Sequence, residues 1–294
     1  MLRRRRFDWM LPEAWNVEHN NLHHYTLGEV SDPDLVEHNA EQLRMALPYG
    51  LPNWLKYGVI GVAMATWKWF YYAPNTYKEL KVSEYRRANR PLPKGFDPHL
   101  QCTLWGLLDP NTPSIYGIGE FFVRVVGPYF LIHFFLFPAP FLLISSQAYL
   151  SAVVNLLIAD VLSNIHTFII VVTNHTGDDM YCFDESCTPL SGNFYMRAVI
   201  SSVNFACGDD VTDFLHGWLN YQIEHHAWPK LSMLQYRKAQ PLMKALCAKH
   251  HIPYIQQSVW TRLRKTVDIM IGNTSMRKFP TGVLRETCTE TTAE

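Results

Sequence analysis

Three side chains in the stretch LNYQIEHHAWPKLS, residues 219–232, carry nitrogen or oxygen within one helical turn: Gln222, His225 and His226. Positions i, i+3 and i+4 share a helix face, so all three can reach one centre. Neutral imidazole is the commonest side-chain metal ligand. Two adjacent histidines diverge enough to serve two ions, or two positions around one. Taken alone, the stretch also fits a surface histidine pair near a helix end. A second cluster, in WNVEHNNLHHYTLGE, argues against that reading: His19 and His23 are spaced i, i+4, and His24 is offset by about a third of a turn. With 13 histidines in 294 residues, two unrelated doublets, each with a partner three or four residues upstream, would be an unusual coincidence.

Something must hold two such distant clusters together, and the apolar segments between them are the candidates. GPYFLIHFFLFPAPFLLISS, residues 127–146, has no charged residue, and about 20 such residues match the hydrocarbon thickness of a bilayer. His133 and the prolines are its oddities. AYLSAVVNLLIADVLSNIHTFIIVV, residues 148–172, is as long but contains Asn155, Asp160, Asn164 and His166. An acid inside a membrane is costly, so Asp160 is expected to face other helices. Buried helices of a soluble core are the alternative. SSQAY is the predicted link of a tight hairpin at about 127–172, with both outer ends on one side of the membrane. The two histidine clusters, one before the hairpin and one after it, then emerge on the same face. Basic residues crowd the flanks (Arg3 to Arg6, Lys78, Lys81, Arg86, Arg87, Arg90, Lys94, Arg124) and are absent from the hairpin loop, which makes that face cytosolic or its equivalent.

WLKYGVIGVAMATWKWFYYAP, residues 54–74, is apolar over too short a run to span and reads as an interfacial helix with an aromatic belt; a partly buried soluble helix is the other option. The formal net charge is zero, with 26 basic and 26 acidic residues, so nucleic-acid binding is not implied. The six cysteines show no metal or disulfide spacing and read as reduced thiols. Residues 281–294 form a polar tail.

HNNLHH and QIEHH resemble the second and third histidine boxes of the membrane-bound fatty acid desaturases, the third in its Q-x-x-H-H form. The resemblance extends over nearly the whole chain, including VVTNHTGDD and DFLHGWLNYQIEHHAWPKLS. It implies an all-α integral membrane protein with a cytosolic-side helical cap carrying the boxes, a single domain over residues 1–280. It further implies two non-haem iron ions, O2 as co-substrate, an acyl-lipid or acyl-CoA substrate, and electrons from a separate cytochrome b5 or ferredoxin. Carried over by position, His19, His23, His24, His225 and His226 would ligate iron, with His175 as a further ligand. Gln222 stands where many relatives have histidine. Gln222, His216, Asn220, Asp178, Asp179 and Asp209 are candidates for the metal or for the groups supporting its ligands, and Glu18, Glu224, Asp210 and Asp213 are candidates only to accept the second N–H of a metal-bound histidine. The family's first box normally precedes the second by some tens of residues, yet only 18 residues precede His19. The reading expects an N-terminally incomplete version of the fold, or one that has lost the chemistry.

An unactivated C–H bond offers neither an acidic proton nor an electrophile, so acid–base groups or a nucleophilic Ser or Cys would be idle. Iron and O2 supply an oxidant strong enough to abstract hydrogen, and imidazoles present no thiolate to be oxidised. The leading expectation is therefore desaturation of an acyl chain. A hydroxylase or ketolase of the same superfamily and a non-catalytic membrane subunit are the alternatives. The expected location is endoplasmic reticulum or plastid in a eukaryote, or the inner membrane in a bacterium.

Overall fold

Helical periodicity runs through most of this sequence, and the computed structural model, which describes residues 9–48 and 50–280, is mostly helical. Among the described residues, strand structure is confined to a two-residue parallel pairing, Tyr181–Cys182 with Arg277–Lys278, and two isolated bridges. The Arg3 to Arg6 patch and the tail 281–294 lie outside the described residues. The described residues form two compact units, 9–22 with 61–166 and 23–60 with 167–280.

Two helical segments are long and apolar enough to cross a membrane, Ile118–Leu143 and Ser146–Asn174. The first begins nine residues before the sequence-predicted start at Gly127, because Phe121, Phe122, Val123, Val125 and Val126 extend the apolar run across Arg124. The predicted SSQAY link shrinks to a turn at Ile144 and Ser145, since Ser146 already opens the second helix. Pro138 cannot donate a main-chain hydrogen bond. The segment just before it widens to a π-helix over Leu131–Leu136, and Ala139–Leu143 tightens to a 3-10 turn. Leu131, Phe135, Leu136, Leu142 and Leu143 are all exposed, the last 91%. Exposure on that scale suits a hydrocarbon surrounding better than water.

Asp160 faces inward, as expected of a carboxylate on an apolar helix. It takes hydrogen bonds from Lys68 Nζ (3.1 Å), Trp69 Nε1 (3.2 Å) and Tyr129 OH (3.0 Å), the last joining the two legs of the hairpin. One turn on, the Asn164 carbonyl accepts from Trp67 Nε1, and its side-chain oxygen accepts from the Lys68 main chain. Lys68 is itself buried. It opens a π-helical segment, Lys68–Tyr72, which continues helix Asn53–Trp67 into Ala73–Arg87. Tyr77, Val82, Ile115, Tyr116, Phe121 and Val125 form the apolar core of the first unit.

The second unit packs helix Gly192–Ile200 against Gln222–Ala227 and Met233–Lys249 through Ala198, Ile200, Ile223, Ala227, Met243 and Cys247. Helix Met233–Lys249 starts with a capping box in which Ser232 and Gln235 satisfy each other's main-chain N–H groups. A second cluster, Leu35, Met180, Val203, Ile269 and Met276, seats helix Val259–Met270. Arg44 donates to the Ile269 carbonyl at 2.8 Å, tying helix Val36–Ala46 to the same helix. The described cysteines are free thiols.

Candidate metal centre

Three buried imidazoles from three separate stretches of the second unit converge: His23, His175 and His226. His23 starts this unit as the last residue of the π-helical segment Asn16–His23. His175 follows a 3-10 turn at the end of helix Ser146–Val171. His226 lies in the short helix Gln222–Ala227. Their Nε2 atoms are close, with His23 3.2 Å from His226 and 3.2 Å from His175.

The other ring nitrogen of each histidine is already engaged. His23 Nδ1 lies 2.7 Å from Asp32 Oδ1, His175 Nδ1 2.6 Å from the Val171 carbonyl, and His226 Nδ1 2.6 Å from Ser202 Oγ. Carboxylate and carbonyl accept only, so the proton of His23 and of His175 sits on Nδ1 and the Nε2 lone pair faces the centre. The Ser202 hydroxyl accepts from His226 in the same sense. Lone pairs so close together repel unless a cation lies between them. Metal–imidazole bonds of about 2.1 Å that open an angle near 100° place two nitrogens about 3.2 Å apart. The donor set therefore fits a metal ion.

Burial alone pulls the His23 pKa down, but the charge and hydrogen bond of Asp32, helped by Asp34, outweigh it and hold His23 above the ordinary imidazole value. His175 falls to about 4, through burial and then the charge of His23. His226 is pushed well below the ordinary value by burial and by the charges of His23 and its other histidine neighbours.

The expectation that Gln222, His225 and His226 reach one centre is only partly met. Gln222 and His226 point to the triad, with Gln222 Nε2 2.7 Å from His226 Nε2 and 3.3 Å from His175 Nε2. His225 turns aside, its Nδ1 3.1 Å from Tyr236 OH and its ring 4.7 Å from that of His24. Consecutive helical residues differ by about 100° in direction, which separates the two histidines of the doublet. His19 belongs to the first unit, where its ring stacks on Trp15 at 4.7 Å.

The other candidate residues are used elsewhere. Asp209 caps helix Asp210–Leu215, accepting from the Val211 and Thr212 main chain. Asp178 and Asp179 pair with Lys265, and Asp179 also takes Arg262 at 2.7 Å. Arg262 is fully buried and donates to the Thr176 carbonyl at 2.6 Å, clamping the loop behind His175 to helix Val259–Met270. Gly177 leaves room for it: a Cβ there would stand 2.0 Å from Arg262 Nη2. His216 Nδ1 bonds to the Thr212 carbonyl. Asn220 and Tyr221 both bond to the buried Asp213, which also takes Arg237. Arg237 reaches Asp210 as well. Glu224 accepts from Asn204 and Tyr254, each at 2.8 Å, and so fixes the third box from behind. Glu18 accepts from Tyr72 OH in the first unit.

Two supporting residues escaped the sequence reading. Ser202 gives no signal in the chain order. Asp32 does, in retrospect: in SDPD it precedes Pro33, a turn-forming pair that sends the chain back toward the helix carrying His23. Its Oδ2 accepts from the Gly28 main chain and its Oδ1 from that of Asp34, so the carboxylate is tied down before it meets His23.

The family described as "Fatty acid desaturase" matches residues 6–258. Among curated proteins, the chain is 30% identical to Delta(8)-fatty-acid desaturase 2 of Arabidopsis thaliana over 87 residues, 30% of this chain and 18% of that protein. It is 47% identical to fatty acid desaturase 3 of Bos taurus over 58 residues, 20% of this chain and 12% of that one. It is 35% identical to the acyl-lipid (9-3)-desaturase of Borago officinalis over 66 residues, 22% of this chain and 14% of the relative. In these matches the chain spans less than a fifth of the relatives' own length. No solved structure matches it.

Proposed function

Because the chain belongs to the fatty acid desaturase family, we propose that it takes part in the O2-dependent desaturation of a fatty acyl chain, carried as an acyl lipid or acyl-CoA, at a centre of two iron ions. The observation that carries this reading is the triad His23, His175 and His226, each with Nδ1 engaged and Nε2 turned to a common point. These three would hold one ion. His24 and His225, with rings 4.7 Å apart, are proposed for the second, together with His19 on box spacing alone. Iron held there would supply, with O2 and two electrons from a cytochrome b5 or ferredoxin, the oxidising power to remove hydrogens from adjacent methylenes.

The protein's own part is to place and protect. Asp32, Ser202 and the Val171 carbonyl fix which nitrogen of each imidazole faces the metal. Arg262 holds the loop that follows His175, and Glu224, bound by Asn204 and Tyr254, holds the helix of His226. Burial of the triad keeps water away from an oxidising centre. The apolar segments Ile118–Leu143 and Ser146–Asn174 are proposed to cross a membrane as a hairpin within one desaturase domain over residues 1–280. The histidine boxes would then lie on the cytosolic-equivalent side of the endoplasmic reticulum, a plastid membrane or a bacterial inner membrane.

The test is lipid profiling of a host that supplies electrons, with the protein expressed as wild type and as His226→Ala and His225→Ala. Both variants are expected to insert normally and to lose acyl oxidation. Near-normal product from either would make QIEHH structural. The product itself separates desaturation, which removes two hydrogens, from hydroxylation, which adds one oxygen.

A further inference from the structure

Gln222 occupies the place where a metal ligand is expected, yet the groups behind it decide which end of its amide faces the histidines. Asn174 is fully buried, and its Nδ2 lies 3.3 Å from the Ile170 carbonyl, 3.1 Å from the Leu219 carbonyl and 2.9 Å from Gln222 Oε1. Turning the Asn174 amide over would set its oxygen against two main-chain carbonyls, lone pair against lone pair. Its nitrogen would move to where Oδ1 now sits, buried without a partner. Main-chain geometry therefore fixes Asn174 as a donor toward Gln222. A donor demands an acceptor, so Gln222 presents Oε1 to Asn174 and its NH2 to His226 and His175.

An amide nitrogen of this kind has no lone pair to give a metal. Once His175 and His226 direct their Nε2 lone pairs at an ion, the two Gln222 N–H bonds lose those acceptors. A buried donor is costly to leave unpaired. The acceptor left within reach is an additional, exogenous ligand on the same ion, and an anion suits a donor best.

We propose that Gln222 is not a metal ligand but a hydrogen-bond donor to the exogenous ligand of the ion held by His23, His175 and His226, with Asn174 setting its orientation. The inference rests on the metal-centre reading above. It also gives the sequence position a chemical meaning: glutamine in place of histidine exchanges one ligand for one donor beside an open coordination position.

The experiment uses the 294-residue chain in detergent, loaded with Co(II), and reads bound cobalt, the cobalt visible spectrum and azide affinity. Gln222→Met, of similar length without the amide, is expected to bind as much cobalt as wild type with unchanged spectral intensity, while azide binds about ten- to a hundredfold more weakly. Gln222→Glu keeps an oxygen for Asn174 and turns a second one to the ion. It is expected to lower spectral intensity, as a ligand is gained, and to weaken azide. Loss of cobalt or a changed spectrum in folded Gln222→Met would make Gln222 a ligand and overturn the proposal. An unchanged spectrum in Gln222→Glu would do the same, and so would azide affinity that does not move in either variant. Failure of the wild-type chain to bind cobalt would instead overturn the metal centre itself, and the proposal with it.

Discussion

Asp32 is the residue whose replacement tests the metal centre most sharply, because it touches the proposed ion only through His23. Its carboxylate holds three donors: His23 Nδ1 at 2.7 Å, the Gly28 main chain at 2.9 Å and the Asp34 main chain at 2.9 Å. In Asp32→Asn, the amide oxygen can stay with His23 and Asp34, which share Oδ1, while the NH2 turns toward Gly28. One hydrogen bond and the negative charge are lost, but the orientation of His23 survives. Asp32→Ala removes all three and frees the ring to rotate. Loss of a carboxylate behind a metal-bound histidine typically costs about ten- to a hundredfold in metal affinity, or roughly 1.4–2.7 kcal/mol. Asn is expected near the lower figure and Ala near the upper. Competition between the protein and a fluorescent chelator for Co(II) measures both, with thermal unfolding of the metal-free proteins as the control for folding. A folded Asp32→Ala protein whose cobalt affinity stays within about threefold of wild type would refute the claim that this hydrogen bond positions a ligand.

Three further outcomes follow from the packing. Gly177→Ala drives a methyl group into Arg262 Nη2 and should cost about 1–3 kcal/mol in thermal unfolding, with weaker cobalt binding because the loop after His175 shifts. Lys265 and Arg262 hold the Asp179 carboxyl below its ordinary value although burial acts the other way. A depressed folded-state pKa gives stability that is full above the unfolded value, about 3.9, and fades as pH falls below it; the deficit of Asp179→Asn should therefore be present at pH 7 and vanish in acid unfolding near pH 2, and a deficit constant across that range would contradict the ion pairs. Asp160→Leu strands the buried Lys68 and should cost about 3–5 kcal/mol in detergent, whereas Lys68→Met with Asp160→Leu should recover most of it; a double variant no more stable than the single one would show that the pair is not coupled.

How much of this was legible in the chain differs from residue to residue. The histidine spacings and the uncharged run at 127–146 announce themselves because helical periodicity and bilayer thickness are local rules. Asp160 could be assigned an inward direction from the cost of a carboxylate in lipid, but not a partner, since Lys68 lies 92 residues earlier. The roles of Asp178, Asp179 and Asp209 were invisible for the opposite reason. Nearness in sequence to a histidine says nothing about direction, and the competing demands of Lys265, Arg262 and a helix N-terminus claimed them. The apolar helix starts at Ile118, before the uncharged run, because Arg124 interrupts the apolar residues at 121–126 while the helix tolerates a single cation near its end.

The contact between Lys68 and Asp160 bears on how the protein is made. A chain leaves the ribosome N-terminus first, so the helix bearing Lys68 is complete before the second leg of the hairpin is synthesised. If the proposed hairpin crosses a membrane, its partner is already waiting when Asp160 enters the bilayer, and the insertion penalty of about 2.5–3.5 kcal/mol for a lone acid has to be met only until the two helices touch. Reversing the order of the two segments by circular permutation would leave the folded contacts available yet send the acid in alone. In that proposed topology, the position of Lys68 before the hairpin serves membrane insertion as well as the finished fold.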